Sequence, residues 1–430
     1  MKGVALLLTI SFLALYVFPT NGYDTQLGTT LLSTVNGKTL YVGGNGPGNY
    51  TRIQDAINNA SNGDTVFVYN GTYYEQVTVN KSIALIGENR NTTVINAKKN
   101  VTVVTMISSD ILMKGFTITN TYGFIAWNGG IHIVSVKTCN IKRITITDCI
   151  ITKNAGGGIC LSMVSDVHIT NCYIHNNSCQ SISILKDSDN ITVNNCQMSY
   201  NGCHAGGLTY IGGIDIFGEG EYCCSNILVT NCSFLNNVGM GISISDVKNI
   251  QISYSIVSGS TWGISVQGKA ENIEIHHVTI RKNSDKGVFV SGTSGPLLNI
   301  NIHDNTISEN GNNGLWSGGI SLSNCLNCVS IEHNTIISNK GNGIFLLRGS
   351  LNRIIENNFM NNTHDASFDF DSLKFPFGNQ WDGNYWGKPK LLPKVIFGYG
   401  GNNKLIPWIN IDWHPAKEPY SSVITERPLR

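Results

Sequence analysis

One strand pattern recurs nine times in this chain of 430 residues, and no other feature constrains the fold as tightly. Its copies start at Ile144, Val167, Ile191, Ile227, Ile250, Ile273, Ile300, Val329 and Arg353. Each reads apolar, any, apolar, polar, polar, small, as in ITITDC from Ile144 and VHITNC from Val167. Seven residues after each start stands an apolar residue, from Ile151 to Met360. Ten after it stands Asn in seven of nine copies: Asn154, Asn177, Asn201, Asn237, Asn283, Asn310 and Asn339. A second strand then opens on Gly in seven of nine, as at Gly158, Gly241 and Gly343. The basic period is about 23–24 residues, lengthened where loops are inserted.

A period of this size, with two or three short strands and no helix, predicts a parallel β-solenoid. Each turn lays its strands on those of the next, about 4.8 Å away, so equivalent residues stack in ladders. Apolar ladders fill the interior, and an Asn ladder bonds to its copies and to turn backbone. Composition agrees. Charged residues make up 13%, Gly numbers 46 and Asn 52, and the strong helix formers are scarce, which excludes a helical bundle. A net charge of +1 gives no basic field for nucleic acid.

The ends differ from the repeat. Lys2 and the apolar run Val4–Phe18 read as a secretory signal peptide over 1–22, too short to span a membrane, with Pro19 to Gly22 breaking it. This predicts a secreted, periplasmic or cell-surface protein with no membrane span after signal removal. Thr51-Arg52-Ile53-Gln54 reads as a capping box. Ile53, Ala56, Ile57 and Ala60 make one apolar helical face, so a capping helix is expected at about 51–61, closing an N-terminal segment over 23–62. The solenoid is expected over 63–380, with about twelve turns. Six of the ten prolines lie from 381 on, with Trp381, Tyr385, Trp386 and Trp408, so 381–430 reads as an irregular C-terminal cap and tail.

The segment NGDTVFVYNGTYYEQVTVNKSIALIGE, the NxxxGI turns and GNQWDGNYWG resemble the right-handed parallel β-helix repeat family of the pectate-lyase-like superfamily. The nearest branch is the NosD-like periplasmic and surface proteins, and the resemblance spans roughly 40–390. It implies an all-β, single-stranded, right-handed parallel β-helix, and extracytoplasmic carbohydrate binding or processing. For the NosD-like branch it implies a role in maturing a copper enzyme. Motifs of the superfamily's enzymes are missing. Gly71, Tyr73 and Glu75 match the GxYxE of pectin methylesterases, but Gln54-Asp55 falls on the cap helix. The DD, GHG and RIK signatures of polygalacturonases are absent, and Asp412-Trp413-His414-Pro415 does not match the DPH of mannuronan epimerases.

Chemistry is sought on the outward face. The fourth and fifth positions of successive copies carry His276 and His277, His303 and Asp304, Glu332 and His333, then Glu356 and Asn357. A column of imidazoles and carboxylates suits acid–base work on a sugar chain or a divalent ion. His276, His303, Asp304, Glu332, His333 and Glu356 are the candidate catalytic residues. Trp127, Trp262 and Trp316 are candidate saccharide platforms, with Asp215 and Arg348 as polar partners. Asp215, Glu219 and Glu221, and Asp369 with Asp371, fit either glycoside hydrolysis or Ca²⁺ coordination. Cys149, Cys172, Cys196 and Cys232 share one repeat position and read as a buried thiol row whose parallel Cβ vectors disfavour bridging. Cys325-x-x-Cys328 lacks the second pair of a zinc site.

Three functions follow. One is a surface or secreted protein that binds a polysaccharide or glycoconjugate along its strand face. A second is a polysaccharide lyase or glycoside hydrolase, and a third a NosD-like copper-enzyme accessory protein.

Overall fold

The computed structural model describes residues 37–99, 101–121, 129–135, 141–205, 208–209, 211–314, 316–370, 378–400 and 406–421. Trp127, Asp371 and the segment read as a signal peptide lie outside them.

The repeat builds the expected coil. Strands pair in parallel with their copies one turn away, in a 26-stranded sheet and a 13-stranded sheet. The second sheet takes one strand per turn, from Gly71–Tyr73 to Tyr385–Trp386, so the coil has about thirteen turns. Register follows the sequence alignment: Ile144, Val167, Ile191, Ile227, Ile250, Ile273, Ile300 and Val329 form one row. From Ile144 to Ile300 these side chains are at most 2% exposed. Ile159, Ile182, Ile214, Ile242 and Ile264 stack likewise on the strands that follow the Gly residues. Ile and Val suit this interior because their branched Cβ packs against the copy above and below.

The Asn ladder runs in two stretches, on either side of Ser260. Asn154, through both its backbone N–H and its Nδ2, donates to Oδ1 of Asn177, at 3.1 and 2.9 Å. Asn177 does the same to Asn201, and Asn201 to Asn237. After Ser260 the row resumes through Asn283, Asn310, Asn339 and Asn362. The other Nδ2 proton goes to a carbonyl of the preceding turn, as from Asn177 to Ile151. A buried carboxamide is thereby satisfied, and each turn is pinned in register to the next.

A second ladder was hidden behind the cysteines. Cys149, Cys172, Cys196 and Cys232 are buried, and each Sγ donates to the carbonyl two residues before it. Their column continues as Ser255, Val278, Asn305, Asn334, Asn357 and Asn384, and ends on the buried carboxylate of Asp412. A third row runs Asn352, Asn379, Asn410.

That third row explains a register error in the sequence reading. Arg353 pairs with Ser330, so Asn352 and not Arg353 stands below Val329. Phe359, not Met360, lies under Ile336. An Asn occupies the interior place where the pattern asks for an apolar residue, so hydrophobicity alone slid the last copy by one residue.

Both ends also differ in detail. The helix runs Ile53–Asn59 and buries the expected face, but its N-cap residue, Arg52, makes no capping bond. The carboxylate of Glu75 does so instead, accepting from the N–H groups of Ile53 and Gln54 at 2.8 and 3.0 Å. A side chain from the coil thus anchors its own lid at the helix's positive end. At the other end, parallel pairing passes residue 380: Gln380–Asp382 lies on Arg353–Ile355, and Tyr385–Trp386 on Asn358–Phe359. The six prolines all follow Trp386, which is why pairing persists that far. An antiparallel hairpin, Lys394–Gly400 with Ile406–Asp412, then closes the stack.

Asn334→Ala removes the acceptor of Asn305 and a donor to Asn357, leaving buried groups unpaired. It is expected to cost about 1–3 kcal/mol in equilibrium denaturation. Glu75→Ala uncaps the helix and is expected to cost about 1–2 kcal/mol by the same measurement.

Candidate functional site

The bend between the two strands of each turn needs one residue in the left-handed region. Asp148, Asn171, Asn195 and Asn231 fill it in four early turns, with φ between 50° and 55°. Asn and Asp tolerate that conformation best among L residues. In the later turns the same position holds Tyr254, His277, Asp304, His333 and Glu356, with φ between 46° and 55°. Tyr, His and Glu are larger than the Asn this backbone prefers, as are Lys153, Met163 and Leu351 at other left-handed positions of the coil.

The strand position before the bend points outward. There His303 lies under His276 and Glu332 under His303. The rings of His276 and His303 stack with centroids 5.2 Å apart and planes within 4°. His303 is held between carboxylates, with Nε2 3.2 Å from Glu274 and Nδ1 2.8 Å from Asp304. His276 has Nε2 2.8 Å from Gln251 and Nδ1 2.9 Å from His277. Glu332 accepts from Ser330 and from Arg353 Nε, the latter at 3.3 Å. The corrected register places Glu356 in the bend beneath His333, where the two side chains bond; Ile355 takes the place below Glu332.

These surroundings push the two stacked histidines apart. Burial lowers His276 to about 4, a shift that the carboxylate of Glu274 only partly opposes. The hydrogen bond to Glu274 raises His303 despite its own burial, and the same bond lowers Glu274.

Two cavities open on this column. One, of about 330 Å³, is lined by Asn301, Ile302, His303, Ser330, Glu332 and His333. The other, of about 320 Å³, is lined by Asp304, Thr306, His333, Thr335 and Tyr420, among others. His333 lines both, so they adjoin across the bend of the same two turns as one short groove.

The chain's own tail runs into the far end of that groove. His414 Nδ1 lies 2.8 Å from Asp382, and Ala416 N–H bonds to Asn384. Tyr420 exchanges two bonds of 2.9 Å with the Asn358 carboxamide, and its hydroxyl donates to Gly383 O at 2.7 Å. Its ring is 6.3 Å from that of His333. The tail thus lies against the last two turns, and its Tyr420 and Ser421 form one wall of the second cavity.

His276 and Glu356 belong to the column but line neither cavity, and the remaining candidates lie elsewhere. Asp215 stacks between Ser183 and Ser243 on the strands after the Gly residues, where burial lifts its carboxyl to about 6. Trp262 donates to Asp285 at 2.8 Å and packs on Phe289. Trp316 is exposed in the turn before Gly318–Ser323. Arg348 turns in the left-handed region after Asn342–Leu347. Among the described residues no three His, Cys, Asp or Glu side chains are grouped so as to hold a metal ion.

Two members escaped sequence reading. Glu274 is two residues before His276 and shares its outward parity, so strict alternation would have found it. Tyr420 follows the last repeat, 62 residues from its partner Asn358, and no periodicity points to it.

The chain belongs to the family described as right-handed beta helix region, which it matches over residues 47–266, 139–307 and 221–370. A cell surface glycoprotein of Methanothermus fervidus is 28% identical over 258 residues, 57% of this chain. The match covers 40% of that relative's length. Among solved structures, a mannuronic acid specific polysaccharide family 6 lyase from human gut microbiota aligns at TM-score 0.51 and 14% identity, covering 81% of this chain and 86% of its own. The A-module of a mannuronan C-5 epimerase of Azotobacter vinelandii aligns at TM-score 0.45 and 14% identity, covering 86% and 91%. At 14% identity the likeness to the lyase is one of fold. No helix among the described residues is long and apolar enough to cross a membrane.

The histidine shifts fix a pH dependence. The folded state holds His276 neutral, so its contribution is present above its ordinary value of 6.5 and is lost as pH falls toward about 4. The contribution of His303 has the opposite sense: present below 6.5, and lost as pH rises through its raised value. Denaturant unfolding from about pH 7 to about pH 4.5 is expected to show a loss on the order of 1–3 kcal/mol from His276, absent in His276→Asn.

Proposed function

We propose that this is an exported or cell-surface β-helix protein that binds a polysaccharide along the groove of Glu274, His303, Asp304, Glu332, His333 and Glu356. The observation that carries the reading is the groove itself. Its two cavities share His333, and Tyr420 and Ser421 of the tail line one of them. Successive turns rise about 4.8 Å, close to the length of one pyranose unit, so a sugar chain can present one residue per turn. The lining offers what sugar hydroxyls need: the amide of Asn301, the hydroxyls of Ser330, Thr306 and Thr335, and ring faces of His and Tyr. The cell-surface relative supports the location.

Binding is favoured over lyase or hydrolase chemistry because both ring nitrogens of His276 and of His303 are already engaged within the protein. A general base needs a nitrogen directed at the substrate. A catalytic reading would rest on His333, which pairs with Glu356 and faces both cavities.

Affinity electrophoresis through polysaccharide gels tests the reading. Retardation is expected for at least one glycan without release of reducing or unsaturated ends. His303→Ala combined with Glu332→Ala is expected to weaken binding about tenfold or more, roughly 1.4 kcal/mol. Turnover that disappears in His333→Ala would establish the enzyme instead.

A further inference from the structure

The pair Cys325-x-x-Cys328 lies at one bend of the coil. Strand Gly318–Ser323 ends there, and Val329–Glu332 begins, the strand that brings Ser330 and Glu332 to the first cavity. Two left-handed residues, Asn324 and Asn327, turn the chain, with φ of 52° and 49°. One carboxamide then holds both cysteines. Asn352 Nδ2 donates to Cys325 O at 2.9 Å, and its Oδ1 accepts from the Cys328 N–H at 3.3 Å. The N–H of Ser350 donates to the same Cys325 carbonyl at 3.0 Å. The two backbones therefore converge, and the thiols meet as hydrogen-bond partners inside the bend.

This contact differs from those of the buried row. Cys149, Cys172, Cys196 and Cys232 touch across successive turns, where stacked Cβ vectors run parallel and disfavour a bridge. Cys325 and Cys328 instead approach from opposite sides of one bend. Their surroundings also divide two roles between them. Cys328 keeps 7% exposure and Cys325 none. The Cys325 thiol also reaches the carbonyls of Ser323 and Val290, at 3.4 and 3.6 Å, on the inner side of the bend. Its hydrogen bond to Cys328 draws the Cys328 thiol below its ordinary value and pushes its own up. The thiolate is the attacking form in disulfide exchange, so Cys328 is the nucleophile and Cys325 the resolving thiol.

We infer that Cys325 and Cys328 are a redox pair that closes to an intrachain disulfide by exchange with an external disulfide, while the four-cysteine row stays reduced. The Cys328 thiolate attacks one sulfur of the external disulfide, breaks its S–S bond and releases one thiol. Cys325 then gives up its proton and attacks Cys328 Sγ in that mixed disulfide, releasing the second thiol. Two protein thiols are oxidised, and one external disulfide is reduced to two thiols. Oxidants of this class belong to extracytoplasmic compartments. A bridge here pins the entry to the strand of the first cavity, since Cys328 adjoins Val329.

Thiol mapping by mass spectrometry tests this. The folded, reduced protein is held with oxidised glutathione until labelling stops changing, then quenched with acid, unfolded and alkylated. The peptide holding Cys325 and Cys328 is expected to be unalkylated and lighter by two hydrogens, with Cys149, Cys172, Cys196 and Cys232 all alkylated. Cys325→Ser is expected to stop at a glutathione adduct on Cys328, whereas Cys328→Ser leaves Cys325 without one. Should either variant fail to fold, the wild-type map alone decides. Alkylation of both Cys325 and Cys328 at the plateau, or a bridge from either to another cysteine, overturns the inference. So does an adduct that forms on Cys325 in preference to Cys328, or a bridge within the row.

Discussion

Register between turns is the constraint on which everything else in this protein rests. A solenoid gains little from any single turn, because each touches only its neighbours. What fixes each turn is the buried carboxamide that takes two hydrogen bonds from the turn before it and passes two to the turn after, as Asn177 does between Asn154 and Asn201. Apolar contacts between stacked Ile residues drive the burial but are non-directional. The ladders are directional, and a slip of one residue would break every bond in the row. Three such rows converge on the C-terminal turns, where Asp412 and Asn410 terminate two of them.

The candidate site is a by-product of that order. A strict repeat projects equivalent side chains outward in straight columns, so a few substitutions in consecutive copies suffice to line a groove. Here the bend position, Asn or Asp in the early turns, holds Tyr254, His277, Asp304, His333 and Glu356 in the later ones. Beside it, His276 and His303 stack face to face as neighbouring copies must. Their opposite proton affinities have different causes: burial lowers His276, whereas the hydrogen bond to Glu274 raises His303. Identical rings on identical scaffolding thereby acquire different chemistry.

The same geometry separates the other candidates from the groove. Asp215, Trp262 and Trp316 belong to the strand or turn on the Gly side of each coil, and they find local partners there, such as Asp285 for Trp262. Residue type alone made them resemble members of a sugar site. Their column decides that they are not members of this groove.

Repetition made the fold legible, because periodicity in the chain is periodicity in space. The Asn row, the apolar rows and the outward column of His276, His303 and Glu332 could be read directly from aligned copies. Legibility failed where a residue broke the expected chemistry of its place. Asn352 sat in an apolar slot and shifted the last copy, moving Glu356 from the strand face to the bend. The ladder of Asn305, Asn334 and Asn357 went unseen because its first members are cysteines. Contacts between distant segments lay beyond any pattern. Glu75 caps a helix some 20 residues earlier, and Tyr420 returns across 62 residues to Asn358. The sequence by itself determined the coil, since each turn interacts only with its neighbour and local pattern carries that information. Only the tertiary structure decided what closes each end, which side chains share the groove and how their charges are paired, since those depend on approaches in space that no spacing along the chain encodes.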